Sequence, residues 1–275
     1  MRVLEHILGI LFPSVCRRCG VPVGAKGRTA YFCTHCWDSI RWFDGPCCLR
    51  CGIPYPFIER GKGGDRSSNS SMIDHSPLSI YPGGHLCGDC AKNPPPFDRA
   101  ISGGPYEGVL AEAIKLFKYN KKVHIGTILA EQMMSFLGIS SSTRGKTRVG
   151  LFEEGSSPHG LVPVPLHPKR LCEREFNQSA IIASVIGKRM NLPVLLDVLI
   201  RRRHTRPQVE LDMKERRKNV TGVFAVENAR AIEGKDLVLI DDVFTTGATV
   251  SECARTLKRN GAGKVYIITI ARMIG

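Results

Sequence analysis

Eight of the eleven cysteines in this 275-residue chain fall into four Cys-x-x-Cys pairs: Cys16 with Cys19, Cys33 with Cys36, Cys48 with Cys51, and Cys87 with Cys90. Two-residue spacing turns both sulfurs of a pair toward one point, and two such turns complete a tetrahedral shell of four cysteines around Zn²⁺. Thirteen residues separate the first two pairs and 35 the second two. The order along the chain reads as two structural zinc sites, although an interleaved pairing would use the same eight residues. Four thiolates close the shell and leave no position for a reactive water, so the chemistry is structural. Gly20, Gly52 and Gly88 suit the tight turns of such knuckles. Cys47 competes with Cys48 as a ligand but is less well spaced from Cys51. His35 and His85 read as solvated neighbours, and Cys172 and Cys253 as small packed residues.

The second chemical string is Val238-Leu239-Ile240-Asp241-Asp242-Val243-Phe244-Thr245-Thr246-Gly247-Ala248-Thr249. An apolar strand end leads into adjacent acids, then into a small-residue loop that opens a helix. Successive backbone N–H groups and the positive helix end bind a phosphate, and threonine hydroxyls add donors. Two carboxylates before an anion nest would repel phosphate alone. They suit a molecule that carries vicinal hydroxyls beside its phosphate, the layout of ribose 5-phosphate. Asp241 and Asp242 would accept from the 2′- and 3′-hydroxyls, with Thr245, Thr246, Gly247, Ala248 and Thr249 around the 5′-phosphate. No Gly-x-Gly-x-x-Gly follows the strand, which argues against a dinucleotide site.

Elements that could position this loop follow from periodicity. Apolar residues recur at helical spacing from Tyr106 to Phe117 and over 125–137. Strands are expected at 161–164, 194–200, 220–226, 237–240 and 265–270, with helices at 178–190 and 249–260. Short apolar strands alternating with helices predict an α/β fold, a mostly parallel sheet with flanking helices, whose ligands bind beyond the carboxyl ends of the strands. Residues 1–98 are expected to form a small zinc-ribbon domain with four cysteines per metal, and residues 99–275 the α/β domain. Asn93-Pro94-Pro95-Pro96-Phe97 reads as an extended linker between them. Segment 59–84 is too rich in Gly and Ser to bury a core and reads as a flexible insertion; 140–158 reads as a second.

Hydrophobic residues at 43% and charged residues at 23% are ordinary for a soluble globular chain. The apolar run from Ile7 to Phe12 is too short to span a bilayer and lacks a signal-peptide cleavage site, so a short docking helix is expected. Paired cysteines without an export signal point to a cytoplasmic location. Residues 1–98 hold 11 Lys/Arg against 8 Asp/Glu, which leaves +11 of the +14 net charge to the rest. The C-terminal part is therefore suited to phosphates or nucleic acid. Tyr31, Phe32, Trp37 and Trp42 could stack on bases, but read first as the small core of a ribbon.

The string 238–249 closely resembles the phosphoribosyl-diphosphate signature of type I phosphoribosyltransferases. Together with the knuckles, Tyr106-Glu107-Gly108, Ile114-Lys115-Leu116-Phe117-Lys118-Tyr119, Val162-Pro163-Val164-Pro165-Leu166-His167-Pro168-Lys169-Arg170, Phe176-Asn177-Gln178, Thr205-Arg206-Pro207-Gln208 and Arg216-Arg217-Lys218-Asn219-Val220, it resembles the ComF/GntX family over essentially the whole chain. The resemblance implies a type I phosphoribosyltransferase fold that binds phosphoribosyl diphosphate with Mg²⁺. It further implies transfer of the phosphoribosyl group to an acceptor, with Lys169, Arg170 and Arg174 neutralising the leaving diphosphate. His167 is a possible general acid but more often structural in such a setting. The family has glycine where this chain has Glu175; a positive φ there would strain the loop.

Residues 201–218 carry eight bases against three acids, where related transferases place a mobile hood. Hypoxanthine-guanine transferases of this fold carry an Asp where this chain has Thr245, so no purine-side carboxylate is available. The family also implies a competing role, a non-catalytic module that contacts single-stranded DNA or DNA-uptake proteins in natural transformation.

Overall fold

The computed structural model describes residues 14–23, 31–55, 85–138, 151–152, 157–203, 215 and 219–274. The expected N-terminal helix, the 59–84 insertion, most of 140–158 and most of the basic stretch beyond 203 lie outside them.

Four strands form one parallel sheet: β1 (Arg99–Pro105), β2 (Gly160–Pro163), β5 (Leu237–Phe244) and β6 (Val265–Arg272), in the order β1-β6-β5-β2. Two short strands, β3 (Leu199–Arg201) and β4 (Phe224–Val226), pair antiparallel beside it. The helices are α1 (Thr34–Asp38), α2 (Gly88–Lys92), α3 (Gly108–Tyr119), α4 (Val123–Phe136), α5 (Pro168–Arg174), α6 (Gln178–Met190) and α7 (Ala248–Arg259). The mostly parallel α/β sheet with flanking helices, preceded by a cysteine-rich ribbon, is the architecture expected.

The central strands open on apolar runs, Leu237–Ile240 and Val265–Ile268, because both of their faces are covered there. Alternate residues Val238, Ile240, Tyr266, Ile268 and Ile270 pack with α3, α4 and α6, whereas Leu237, Leu239, Val265 and Ile267 pack with α7 and the β3–β4 pair. The first of these cores also takes in Cys16, Phe32, Cys36, Trp37 and Ile40 of the ribbon. Their burial ties the metal centre to the α/β core.

Four local expectations change; the strand expected at 194–200 is formed only from Leu199 as β3, with Val194 an isolated bridge to Leu161. Residues 99–105 form a strand that the Gly103-Gly104-Pro105 sequence disguises. A Cβ on Gly104 would lie 2.4 Å from the carbonyl oxygen of Arg41, so the glycine lets the ribbon approach, and Phe43 N–H donates to the Gly103 carbonyl at 2.8 Å. The stretch expected as a strand at 220–226 is extended only at 224–226, and with β3 it forms a separate pair rather than extending the parallel sheet. The triproline segment ends on Phe97, which is 1% exposed and meets Phe244 edge-on at 6.2 Å. It is thus anchored at its C-terminal end.

Candidate functional site

The cysteines gather as two sets, Cys16/Cys19/Cys33/Cys36 and Cys48/Cys51/Cys87/Cys90, with all sulfurs of a set within 4.8 Å of one another. The sequential pairing is therefore the one formed, and Cys47 belongs to neither set. Cys19 and Cys33 sulfurs lie 3.6 Å apart, and Cys51 and Cys87 3.7 Å. A regular tetrahedron with Zn–S of about 2.3 Å has edges of about 3.8 Å, so both donor sets fit Zn²⁺. Backbone N–H groups also point at sulfur, from Cys36 to Cys33 and from Cys87 to Cys48. Such donors steady thiolate ligands. Phe32 and Trp37 are buried, Tyr31 stacks on His124 and Trp42 on Phe136. These rings are committed to packing. Cys253 is buried as expected, whereas Cys172 is exposed.

At the carboxyl end of β5 a cavity of about 460 Å³ opens between α3, α5, α6 and the loop that starts α7. Asp241, Asp242, Thr245, Gly247 and Thr249 line it, and Arg170 and Arg174 face them from α5. Lys169, although adjacent, is exposed and does not line the cavity; Thr246 and Ala248 form the loop behind its surface. Gly247 holds φ +73° at the N-cap of α7, and a Cβ there would lie 2.6 Å from the Phe244 ring. Only glycine makes this turn without strain. The first amides of α7 have no carbonyl partner within the helix, as at any helix start, and Ala248 N–H turns to Thr246 Oγ1 at 3.4 Å.

Pro168 begins α5 at a position where its missing N–H costs nothing, and the His167 ring nitrogen Nδ1 accepts from Lys169 N–H at 3.2 Å. His167 acts here as a helix cap. Helix α5 carries Arg170 and Arg174 to the cavity. Arg174 donates to Gln178 Oε1 at 3.1 Å and lies over the Tyr119 ring at 5.3 Å. Gln178 is 1% exposed, and its buried Nε2 has no hydrogen-bond partner among the described residues. A buried donor lining a cavity is suited to a ligand acceptor.

Sequence reasoning assigned no role to Lys118 or Ser179 and counted Arg201 only as part of the basic hood stretch; all three line the cavity. Lys118 Nζ bonds Asp242 Oδ2 at 2.8 Å, with the two side chains only 17% and 11% exposed. Ser179 Oγ donates to Asp241 Oδ1 at 3.1 Å. Lys118 lay within the quoted string 114–119, but its helical periodicity gave no sign that the last turn reaches the acids.

Burial, reinforced by the charge of Asp242, pushes Asp241 up to about 7 against the opposing pull of Lys118 and its hydrogen bonds. Burial, the largest single influence, lowers Lys118, but the charge of Asp242, its hydrogen bond and the charge of Asp241 together outweigh it and lift the ammonium above its ordinary value. The pH dependence follows from Asp241. Its folded-state value lies above that of an unfolded aspartate, so between about pH 4 and pH 7 the folded chain holds the extra proton. Stability therefore falls as pH rises through that window, and urea unfolding at pH 5 and pH 7.5 should show a drop that Asp241→Asn abolishes. An unchanged slope in the variant would contradict the assignment.

Glu175 ends α5 at φ +67°, the left-handed conformation that its glycine counterpart would hold without strain. Its carboxylate pairs with Lys121, itself at φ +55°, on the cavity rim. The strain at a non-glycine left-handed residue is about 1 kcal/mol, and a half-exposed ion pair recovers only part of it. Glu175→Gly is expected to raise stability by roughly 0.5 kcal/mol, read as a higher urea midpoint at constant slope. A lower midpoint would show the ion pair to dominate.

The fold and its centres define a double zinc-ribbon protein joined to a mostly parallel α/β unit. A double zinc ribbon domain is matched at residues 7–69. The chain is 27% identical over 262 residues to "DNA utilization protein YhgH" of Escherichia coli (strain K12), covering 95% of this chain and 98% of that protein. It is 27% identical over 187 residues to "Competence protein F" of Haemophilus influenzae, with 68% and 78% covered. To "Competence protein ComFC" of Bacillus subtilis it is 34% identical over 113 residues, 41% of this chain and 44% of that one. The resemblance to the ComF/GntX family is borne out by these relatives. Among solved structures, an adenine phosphoribosyltransferase from Leishmania donovani matches at 11% identity and a TM-score of 0.34, over 62% of this chain and 83% of that one. The architecture itself rests on the strand order and register, not on that score. Among the described residues no helix is long and apolar enough to cross a membrane.

Proposed function

We propose that the cavity beyond β5 binds phosphoribosyl diphosphate with Mg²⁺ and that the chain transfers the phosphoribosyl group to an acceptor. The observation that carries this reading is the Asp241–Asp242 pair, set beside the glycine-turned start of α7 on one side and Arg170 and Arg174 on the other. The acids accept from the ribose 2′- and 3′-hydroxyls, and the 245–249 loop takes the 5′-phosphate. Arg170 and Arg174 hold the diphosphate, with forked donors that match its oxygens; Lys169, exposed on the same helix, reaches it only by a side-chain movement. The free donor of Gln178 adds a further contact on that wall.

Bond breaking at C1 builds positive charge on the ribose and negative charge on the departing diphosphate. Asp241 and Asp242 favour the first and the arginines the second, so the arrangement acts by positioning and charge stabilisation. Mg²⁺ supplies additional neutralisation of the diphosphate when bound. Residues 1–98 serve as the zinc-bearing unit and 99–275 as the catalytic one, in the cytoplasm, where phosphoribosyl diphosphate and reduced thiols are found together.

The names of the relatives favour a role in handling DNA, and the basic C-terminal part is compatible with contact to a single strand or a DNA-uptake protein. The packed ribbon aromatics leave little for base stacking, so such contact would run through charge. The reading is tested by following diphosphate release from phosphoribosyl diphosphate over a panel of bases, amines and nucleotides. Release that depends on one acceptor class and vanishes in Asp241→Asn supports transfer. Tight binding without release from any acceptor would leave a binding module in its place.

A further inference from the structure

The loop at 245–249 is not supported by its own strand alone. Phe244 precedes it, and the Phe244 ring is the surface on which Gly247 turns, with no room for a Cβ between them. The guanidinium of Arg272 lies over the same ring, 4.7 Å from its centroid. Phe97 meets the ring edge-on, and Met273 N–H donates to the Phe244 carbonyl at 2.9 Å. Phe244 is thereby held from three directions.

Arg272 in turn is held by the second cysteine set. It is 4% exposed, it ends the central strand β6 opposite Phe244 in register, and its Nη1 donates to the Cys51 carbonyl at 2.6 Å. Burial holds the guanidinium below its ordinary value, and Cys51, Cys47 and Cys48 pull the other way. Four thiolates on one Zn²⁺ leave two negative charges, and a buried guanidinium needs such a counter-charge. No acidic side chain is paired with Arg272 among the described residues; the metal centre takes that place. The ribbon reaches the same strands through Arg50, whose carbonyl accepts from Ala100 N–H and whose guanidinium donates to the Phe97 and Asp98 carbonyls.

We infer that Arg272 is a positioning residue that makes the phosphate loop depend on the second zinc centre, through the path Cys51, Arg272, Phe244, Gly247. Zinc at Cys48, Cys51, Cys87 and Cys90 fixes both the Cys51 carbonyl and the negative charge opposite Arg272. The guanidinium then holds the Phe244 ring, and the ring fixes the turn from which the loop amides project. An empty second centre loosens the loop without any zinc near the ligand. The inference rests on the reading of 245–249 as a phosphate site, but its structural half can be measured without a ligand.

The test uses the full chain with its zinc content determined. Hydrogen exchange of the 245–249 segment is measured for the native protein, for Arg272→Lys and for Arg272→Met, alongside calorimetric titration with ribose 5-phosphate. At full zinc content Arg272→Met is expected to speed exchange in that segment and to weaken ribose 5-phosphate about tenfold, with Arg272→Lys between it and the native chain. Exchange at 245–249 unchanged in Arg272→Met overturns the inference. Faster exchange in a series where even the native chain ignores ribose 5-phosphate supports the mechanical path and removes the phosphate reading instead. Where Arg272→Met fails to fold, Arg272→Lys at full zinc content is read in its place, and exchange at 245–249 unchanged in it overturns the inference.

Discussion

Chelation of zinc from the native chain is expected to unfold the ribbon and to take part of the α/β core with it. Structural Zn²⁺ contributes on the order of 10 kcal/mol in small ribbons, because the ligands have no other reason to converge. Here the consequence spreads further, since Cys16, Cys36, Phe32, Trp37 and Ile40 share one continuous core with α3, α4 and the sheet. Both tryptophans of the chain, Trp37 and Trp42, lie in the ribbon, one buried and the other stacked on Phe136 of α4. Their emission therefore reports the ribbon and its seam with α4. Removal of two zinc ions per chain should red-shift that emission and lower the urea midpoint of the whole protein. Loss of both ions with unchanged emission would contradict the role given to the metal.

The second large effect is expected from Lys118→Met. The ammonium pairs with Asp242 and acts electrostatically on Asp241, and its loss leaves Asp242 without a counter-charge and Asp241 beside a like charge. Removing one partner of a buried pair costs about 3–5 kcal/mol. The cost should be largest above pH 7 and smaller at pH 5, where protonation of Asp241 relieves the repulsion. Lys118→Met/Asp242→Asn should regain much of the loss, because both charges are then gone. Urea unfolding of the two single variants and the double closes the cycle; a single-variant cost below about 1 kcal/mol would mean that the pair is solvated after all.

How much of this was legible in the sequence differs between the two centres. The zinc ligands are set by local spacing, so the eight cysteines could be named and only their pairing was open. The acid pair and the loop are also contiguous, from Val238 to Thr249, and strand, acids and helix start fall in the expected order. What escaped is what comes from elsewhere in the chain. Lys118 and Ser179 reach the cavity from two helices, and nothing in the periodicity of α3 or α6 marks which turn meets the end of β5; Arg201 was read only as one base of the hood stretch. Arg272 lies in a strand that reads as an apolar run, and its partner is a backbone carbonyl 221 residues away. The strand at 99–105 was hidden for a related reason: Gly103 and Gly104 are there for the ribbon that crosses them, not for strand propensity. Glu175 is the opposite case, since the departure from glycine at that position already pointed to the positive φ that the structure holds.

The central claim is that Asp241 and Asp242, with the loop that follows, form a ribose-phosphate site. Its most direct test is calorimetric titration of the zinc-loaded chain with phosphoribosyl diphosphate and Mg²⁺, repeated on Asp241→Asn/Asp242→Asn. The double substitution also leaves Lys118 unpaired, so folding of the variant is checked by urea unfolding in the same buffer. The account predicts one molecule bound per chain and affinity lowered at least tenfold in a folded variant. Equal affinity in the folded variant, or no heat of binding to the native chain, would contradict it.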